Sequence, residues 1–278
     1  MTGQAQVTLL ADGRRLHLHH GPIDIVAQAY GDPASIRRAY RQAADRFRTI
    51  LAELVAELPL LRRPMTDDGI PVAGVVARRM TAAVWPHRRT FITPMAAVAG
   101  AVADEVLAAM MADCPLARAY VNDGGDIAWH LAPGESLRAG IVANQDAPAI
   151  DGTVLLDYGM PVRGMATSGW RGRSCSLGIA DAVTVLAASA AKAAPAGPAR
   201  LVMRDPFLTP PVLRVPLACD KESHRGAQAL DLLVVRHHVG AVAIRPVDHR
   251  ALPSARTGRA GISGWTMRLW PCRSRLAA

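Results

Sequence analysis

VNDGGDI, residues Val121 to Ile127, and MATSGWRG, residues Met165 to Gly172, are the stretches on which the reading of this chain turns. Each is short and sets glycine beside polar side chains. Glycine tolerates positive φ and has no Cβ, so a Gly-Gly pair next to an acid lets backbone approach a ligand closely. Taken singly, either stretch is also a strand-end turn or a β-bulge. Their order and spacing on one chain give the pair its weight.

Strand-like runs surround them. ARAYVN and DIAWHLA flank the double glycine, and LRAGIVA, TVLLDY and AVTVLAA follow, separated by turn residues. Near the start, VTLLADGRRLHLHH predicts a hairpin, Val7 to Leu10 and Arg15 to His19, around Asp12-Gly13. GPIDIVAQAYG supplies a further short strand or irregular segment. A helix then opens with Asp32 as N-cap and Pro33 at its first position. Ile36, Tyr40, Ala43, Phe47, Ile50, Leu51, Val55 and Leu58 recur at three- and four-residue spacing along it, and Pro59 bends or ends it. VVARRMTAAVWP is ambiguous between helix and strand. Thr93-Pro94 opens a second helix through MAAVAGAVADEVLAAMMA, whose small residues suit close packing against a neighbour. Helices followed by a run of strands predict an α+β protein, a mixed sheet with packed helices.

At 278 residues, half of them apolar and 20% charged, the chain has a globular composition able to bury a large core. The longest apolar stretch, Pro94 to Ala112, carries Asp104 and Glu105 at its centre, which argues against a membrane span. MTGQAQVTLLADGRR turns polar too soon for a signal peptide. Cys114, Cys175, Cys219 and Cys272 form no CxxC pair, so reduced thiols and a cytoplasmic location are expected, without a disulfide framework or a zinc site. The net charge of +9 is concentrated late: from Pro195 onward there are 13 Lys/Arg against 5 Asp/Glu, and the remainder is 19 against 18. No nucleic-acid-binding motif accompanies it, so neither nucleic acid nor membrane is the expected partner. The oligomeric state is left open, a homo-oligomer included.

The texture changes after Ala194. Segments such as RDPFLTPPVLRVPLACD are rich in Pro and Arg with weak periodicity, and only LDLLVVRHHVGAVAI reads as regular structure. Two readings stand for 193–278: an extended basic tail with little order, or translation in a frame different from the rest.

The helix with Gly100 and Asp104, then VNDGGDI, then ATSG at Ala166 to Gly169, resembles the ApbE-like superfamily, the FAD:protein FMN transferases and their smaller uncharacterised relatives. RLHLHHGPID and ATSGWRGRSCSLGIADAVTVLA resemble the smaller relatives more closely. The match covers 1–192, which sets an ApbE-like domain there and an atypical basic region over 193–278. The resemblance implies an ApbE-like, T-fold-related α+β fold that binds FAD or a related phosphorylated small molecule as its partner. In the transferases FMN is cut from FAD and esterified to a threonine of a target protein, with magnesium. Carried over, Asn122, Gly124, Gly125 and Asp126 line the nucleotide cleft, and Thr167, Ser168 and Gly169 form its facing loop. Arg171 and Arg173 are candidates to grip phosphate, since a guanidinium fork matches phosphate oxygens. The chain departs from the transferases in three places. Ala99-Gly100 stands where they have Lys-Gly, and no His-x-x-Asp-Pro follows the ATSG segment. KAAPAGPARLV holds no Asp-x-x-x-Thr for magnesium. A flavin-binding protein or carrier without transferase activity is therefore the alternative to an enzyme.

Other residues have bland counterparts to their sharper roles. Asp181 is a candidate metal ligand or catalytic acid, or else a strand-entry residue capping a turn, and Trp170 a stacking surface or a packing residue. Cys175 is a nucleophile only if a base adjoins it, and is otherwise a packed thiol. His17 and His19 share a strand face as metal ligands would, but nothing in the spacing completes a site. Asp67 and Asp68 read as a solvated turn.

Overall fold

The computed structural model describes residues 3–142, 152–168 and 182–195, together with the backbone of Leu233–His237 and Ala241–Pro246. The N-terminal hairpin forms as β1 (Gln6–Leu9) and β2 (Leu16–His20), with the Asp12 carboxylate accepting from the Arg14 and Arg15 amides in the turn. The segment after it, open between a short strand and an irregular stretch, is an eight-residue strand, β3 (Ile23–Tyr30), whose alternate residues are buried. Asp32 caps α1 (Pro33–Ala56), accepting from the Ala34 and Ser35 amides at 2.9 and 3.0 Å. α1 ends just before Pro59, and a short α2 (Leu58–Leu61) follows. The ambiguous segment is helical, α3 (Val75–Val84). Thr93-Pro94 starts a 3-10 turn, Pro94–Ala97, which leads into α4 (Val98–Met111).

The later strands are β4 (Arg118–Asp123), β5 (Asp126–Leu131), β6 (Ser136–Val142), β7 (Gly152–Asp157), β8 (Gly164–Ser168) and β9 (Ala182–Ala187). A four-residue helix, α5 (Ala190–Ala193), comes next, and the backbone of β10 (Leu233–His237) and β11 (Ala241–Pro246) adds one strand to each sheet. The large sheet runs β1-β2-β3-β4-β5-β8-β9-β10 and the small one β11-β6-β7. Every described pairing is antiparallel. The expected α+β combination of sheet and packed helices is thus present.

Strand alternation divides the core in two. Leu18, Ile25, Ala119, Val121 and Ala128 pack against Phe47, Ile50, Met80 and Val106 of the helices. From the opposite face, Tyr120, Ile127 and Trp129 pack against Leu137, Val154 and Leu156 of the small sheet. The result is three layers: helices, large sheet, small sheet.

The segment Pro94–Met111 is long and apolar enough to cross a membrane by composition alone, but half of it is buried inside the protein. Its charges explain its place. Glu105 is held by Arg46 of α1 and Arg79 of α3, both at 2.8 Å, and the Asp104 carboxylate binds backbone of α5. α4 is the central helix of the helical layer.

Candidate functional site

The double glycine forms the two-residue turn between β4 and β5. Asp123 and Asp126 are register partners across it, and Gly124 and Gly125 take φ of +61° and +106°. Positive φ at both central residues is the hairpin turn that matches strand twist, and it explains why Gly-Gly stands here. The Asn122 side-chain oxygen accepts from the Gly125 amide at 2.9 Å, fixing the turn from inside. A Cβ built on either glycine would meet nothing within 4 Å, so the tip faces open space.

Pairing places the second motif beside the first. Ile127 of β5 pairs with Met165 of β8, so Asp126 and Ala166 are the next residues along neighbouring strands, at the same end of the sheet. The segment expected to be a loop is a strand as far as Ser168, paired to β9. Gly164–Ser168 is a strand because β5 and β9 supply partners on both sides, which local sequence cannot reveal. The Thr167 hydroxyl shares a 2.9 Å hydrogen bond with that of buried Thr184. Ser168 is described by its backbone alone. Gly169, Arg171, Arg173, Trp170, Cys175 and Asp181 lie outside the described residues.

Beneath this end of the sheet lies a contact that sequence reasoning missed. Asp104 is buried, and its two oxygens accept from the Ala190 and Ala191 amides at 3.0 and 2.9 Å, capping α5 from a different helix. Ser189 caps the same turn locally, accepting from the Lys192 amide at 3.3 Å. Two glycines make the approach possible: a methyl on Gly100 would overlap the Ala190 carbonyl, and one on Gly164 would overlap the Ala190 nitrogen. Gly100 and Asp104, one turn apart on α4, thus act as a single receptor for the Ser189–Ala191 backbone. The resemblance singled out the pair, and their four-residue spacing puts them on one helical face, but neither signal shows what they meet.

The electrostatics are uneven. Asp126 keeps partial surface exposure as a residue, while its carboxyl is enclosed by protein. Burial first, then the neighbouring Asp123 carboxyl, push its pKa well above the usual carboxylate range, against the backbone amide of Gly100. Burial also raises Asp104, opposed by the Ala191 and Ala190 amides. Asp126 therefore holds its proton to higher pH than an ordinary aspartate does.

Elsewhere, His17 Nε2 contacts Asp24 Oδ1 at 2.7 Å on the exposed face of β2–β3. Asp67 is exposed and paired with Arg88 at 2.5 Å. Cys114 is a free, buried thiol. Among the described residues, no group of three or more His, Cys, Asp or Glu is disposed to hold a metal ion.

A family model described as AbpE bacteria matches residues 7–199, more than half the chain. The chain belongs to that family. The AbpE match takes in the Gly-Gly turn, β8 and the Asp104–α5 contact. Among solved structures, a point mutant of the flavin transferase ApbE from Vibrio cholerae is similar at 14% identity. The alignment covers 69% of this chain and 87% of that one, with a TM-score of 0.39. The apo form of the flavinyl transferase ApbE from Pseudomonas stutzeri is similar at 14% identity over 71% of this chain and 84% of that one, with a TM-score of 0.37. No curated protein matches the chain.

Proposed function

We infer that this AbpE-family protein binds a flavin nucleotide, FAD or a close phosphorylated relative, at the end of the large sheet where the β4–β5 turn meets β8. The observation that carries the reading is the pairing of Ile127 with Met165, which sets the two ligand-type segments next to each other. The open space around Gly124 and Gly125 leaves room for a phosphate group to reach backbone. Burial raises the Asp126 pKa, which lessens the repulsion that an ionised carboxylate would exert on a phosphate at the turn. Asn122, Gly124, Gly125 and Asp126 form one wall in this reading. Thr167, Ser168 and Gly169 form the other, with Arg171 and Arg173 as the compensating cations.

Transfer of FMN onto a target protein is the catalytic form of the reading. Binding without transfer is the second form, and Ala99 in place of a lysine favours it. The described residues offer no ligand set for magnesium, so no step is assigned to that ion.

Titration of the purified protein with FAD, with and without magnesium, followed by flavin fluorescence, tests the reading. Saturable binding weakened tenfold or more in Asp126→Ala is expected. Release of AMP on incubation with FAD, magnesium and a threonine-bearing acceptor peptide, with the FMN recovered on the peptide or as free FMN after attack by water, would identify the enzyme; saturable binding without AMP release in that mixture supports the carrier. Absence of saturable binding under either condition would remove the flavin reading.

A further inference from the structure

The two walls assigned to the flavin site are joined by little direct pairing. β8 meets β5 at Ile127–Met165 and Ala128–Gly164, and the Trp129 amide donates to the Arg163 carbonyl just before β8 begins. From Ala166 to Ser168, the end that forms the second wall, β8 has no register partner on β5 among the described residues. That end is laddered from the other side, to Val185, Thr184 and Val183 of β9. A strand end bonded along one edge opens easily along the other, so the spacing of the walls needs a further constraint.

The constraint is a closed ring of contacts through α4 and α5. At the turn, the Asp126 carboxyl accepts from the amide of Gly100, in the first turn of α4. The bare Cα of Gly100 receives the Ala190 carbonyl of α5. One helical turn on, Asp104 accepts from the Ala190 and Ala191 amides. The same α5 backbone fills the space that a side chain on Gly164 of β8 would need. β8 then returns to β5 at Ala128–Gly164. Two carboxyls, Asp126 and Asp104, fasten this ring. The other contacts in it are backbone on backbone, which no change of rotamer can relax.

We propose that Asp104 is a positioning residue for the flavin site: it does not touch the ligand, but by seating α5 against α4 it holds the Ala166–Ser168 end of β8 in place opposite the Gly-Gly turn. The proposal rests on the flavin reading for its ligand and on the ring for its geometry. A carboxylate offers one acceptor to each of the two amides. An asparagine offers one acceptor and turns an N–H toward the second amide, so Asp104→Asn opens the seat while keeping its volume. A binding wall loosened by about 1 Å loses the fit that its ligand depends on. Coupling of this kind is reciprocal, so a ligand bound between the walls also tightens the seat of α5.

The test uses the full chain, FAD as the ligand and amide hydrogen exchange followed by NMR. Glu105→Gln is the control, since the neighbouring Glu105 is paired with Arg46 and Arg79 and not with α5. Asp104→Asn is expected to speed exchange in β8 and α5 tenfold or more relative to β3, and to weaken FAD binding tenfold or more. Glu105→Gln is expected to keep the wild-type exchange ratio and affinity. In the wild type, FAD is expected to slow exchange of the Ala190 and Ala191 amides, which a purely structural Asp104 would leave indifferent to FAD. Unchanged β8 exchange relative to β3 in Asp104→Asn overturns the proposal, and so does a loosened β8 with wild-type FAD affinity. If Asp104→Asn does not fold, the wild-type measurement decides: Ala190 and Ala191 amides that do not respond to bound FAD overturn it. A wild type that binds no FAD removes the flavin reading by itself. In that case β8 loosened in Asp104→Asn still supports the brace, and β8 unchanged overturns it.

Discussion

Asp126 shows how a single carboxyl couples ligand chemistry to stability. Burial and the facing Asp123 raise its pKa, so the folded chain holds this proton more tightly than the unfolded chain does. Such a group stabilises the fold fully below the unfolded aspartate pKa. That contribution is lost as pH rises through the raised folded value. Asp126→Asn removes the ionisation. The variant is expected to be more stable than the wild type at neutral pH and to have a flatter stability profile from about pH 4, the ordinary aspartate value, upward. Urea unfolding across that range measures it, and superimposable profiles would show that Asp126 carries no such strain. At this scale the sequence was informative about the turn: Gly-Gly between strands predicts positive φ, and both glycines adopt it. It was silent on the carboxyl, because its burial depends on Gly100 and Asp104 of α4 arriving from elsewhere in the chain.

Between elements, the decisive contact is the seat of α5 against α4 and β8. Gly100 and Gly164 have no side chain because the Ser189–Ala190 backbone occupies that space. Asp104 then satisfies two amides that would otherwise be buried without partners. Gly164→Ala forces backbone apart where no side chain can yield, and is expected to cost about 3 kcal/mol, the upper end for overpacking. Thermal unfolding of Gly164→Ala beside Gly134→Ala, at an open turn, gives the comparison. If the two variants melt together, α5 does not sit as described. The helix spacing and the N-cap of α1 were legible in sequence, since Asp32-Pro33 and the apolar repeat act locally. β8 was not, because its residues are small and polar and become a strand only through β5 and β9. The segment that forms α3 was left undecided for a related reason: its apolar face is defined by the helices it packs against.

For the whole molecule, two sheets and a helical layer are closed by strands distant in sequence. β10 pairs with β9, and β11 pairs with β6, one on each sheet. Ending the chain after Pro195 would leave β9 and β6 as unpaired edges, which invite pairing between copies. The shortened protein is expected to elute as larger species in size-exclusion chromatography. A monodisperse species with unchanged melting temperature would mean that neither strand contributes. The apolar run LDLLVVRHHVGAVAI was readable as regular structure; which strand each half would join was not.

Local information in the sequence determined the helix starts, the N-terminal hairpin, the strands around the Gly-Gly turn and the α+β class. Caps, turns and periodicity act over a few residues, so they can be read a few residues at a time. The tertiary structure alone decided that β8 lies beside β5 and that Asp104 caps a helix far along the chain. Each depends on which distant groups come within hydrogen-bonding or charge-pairing distance, and that is fixed only once the layers pack.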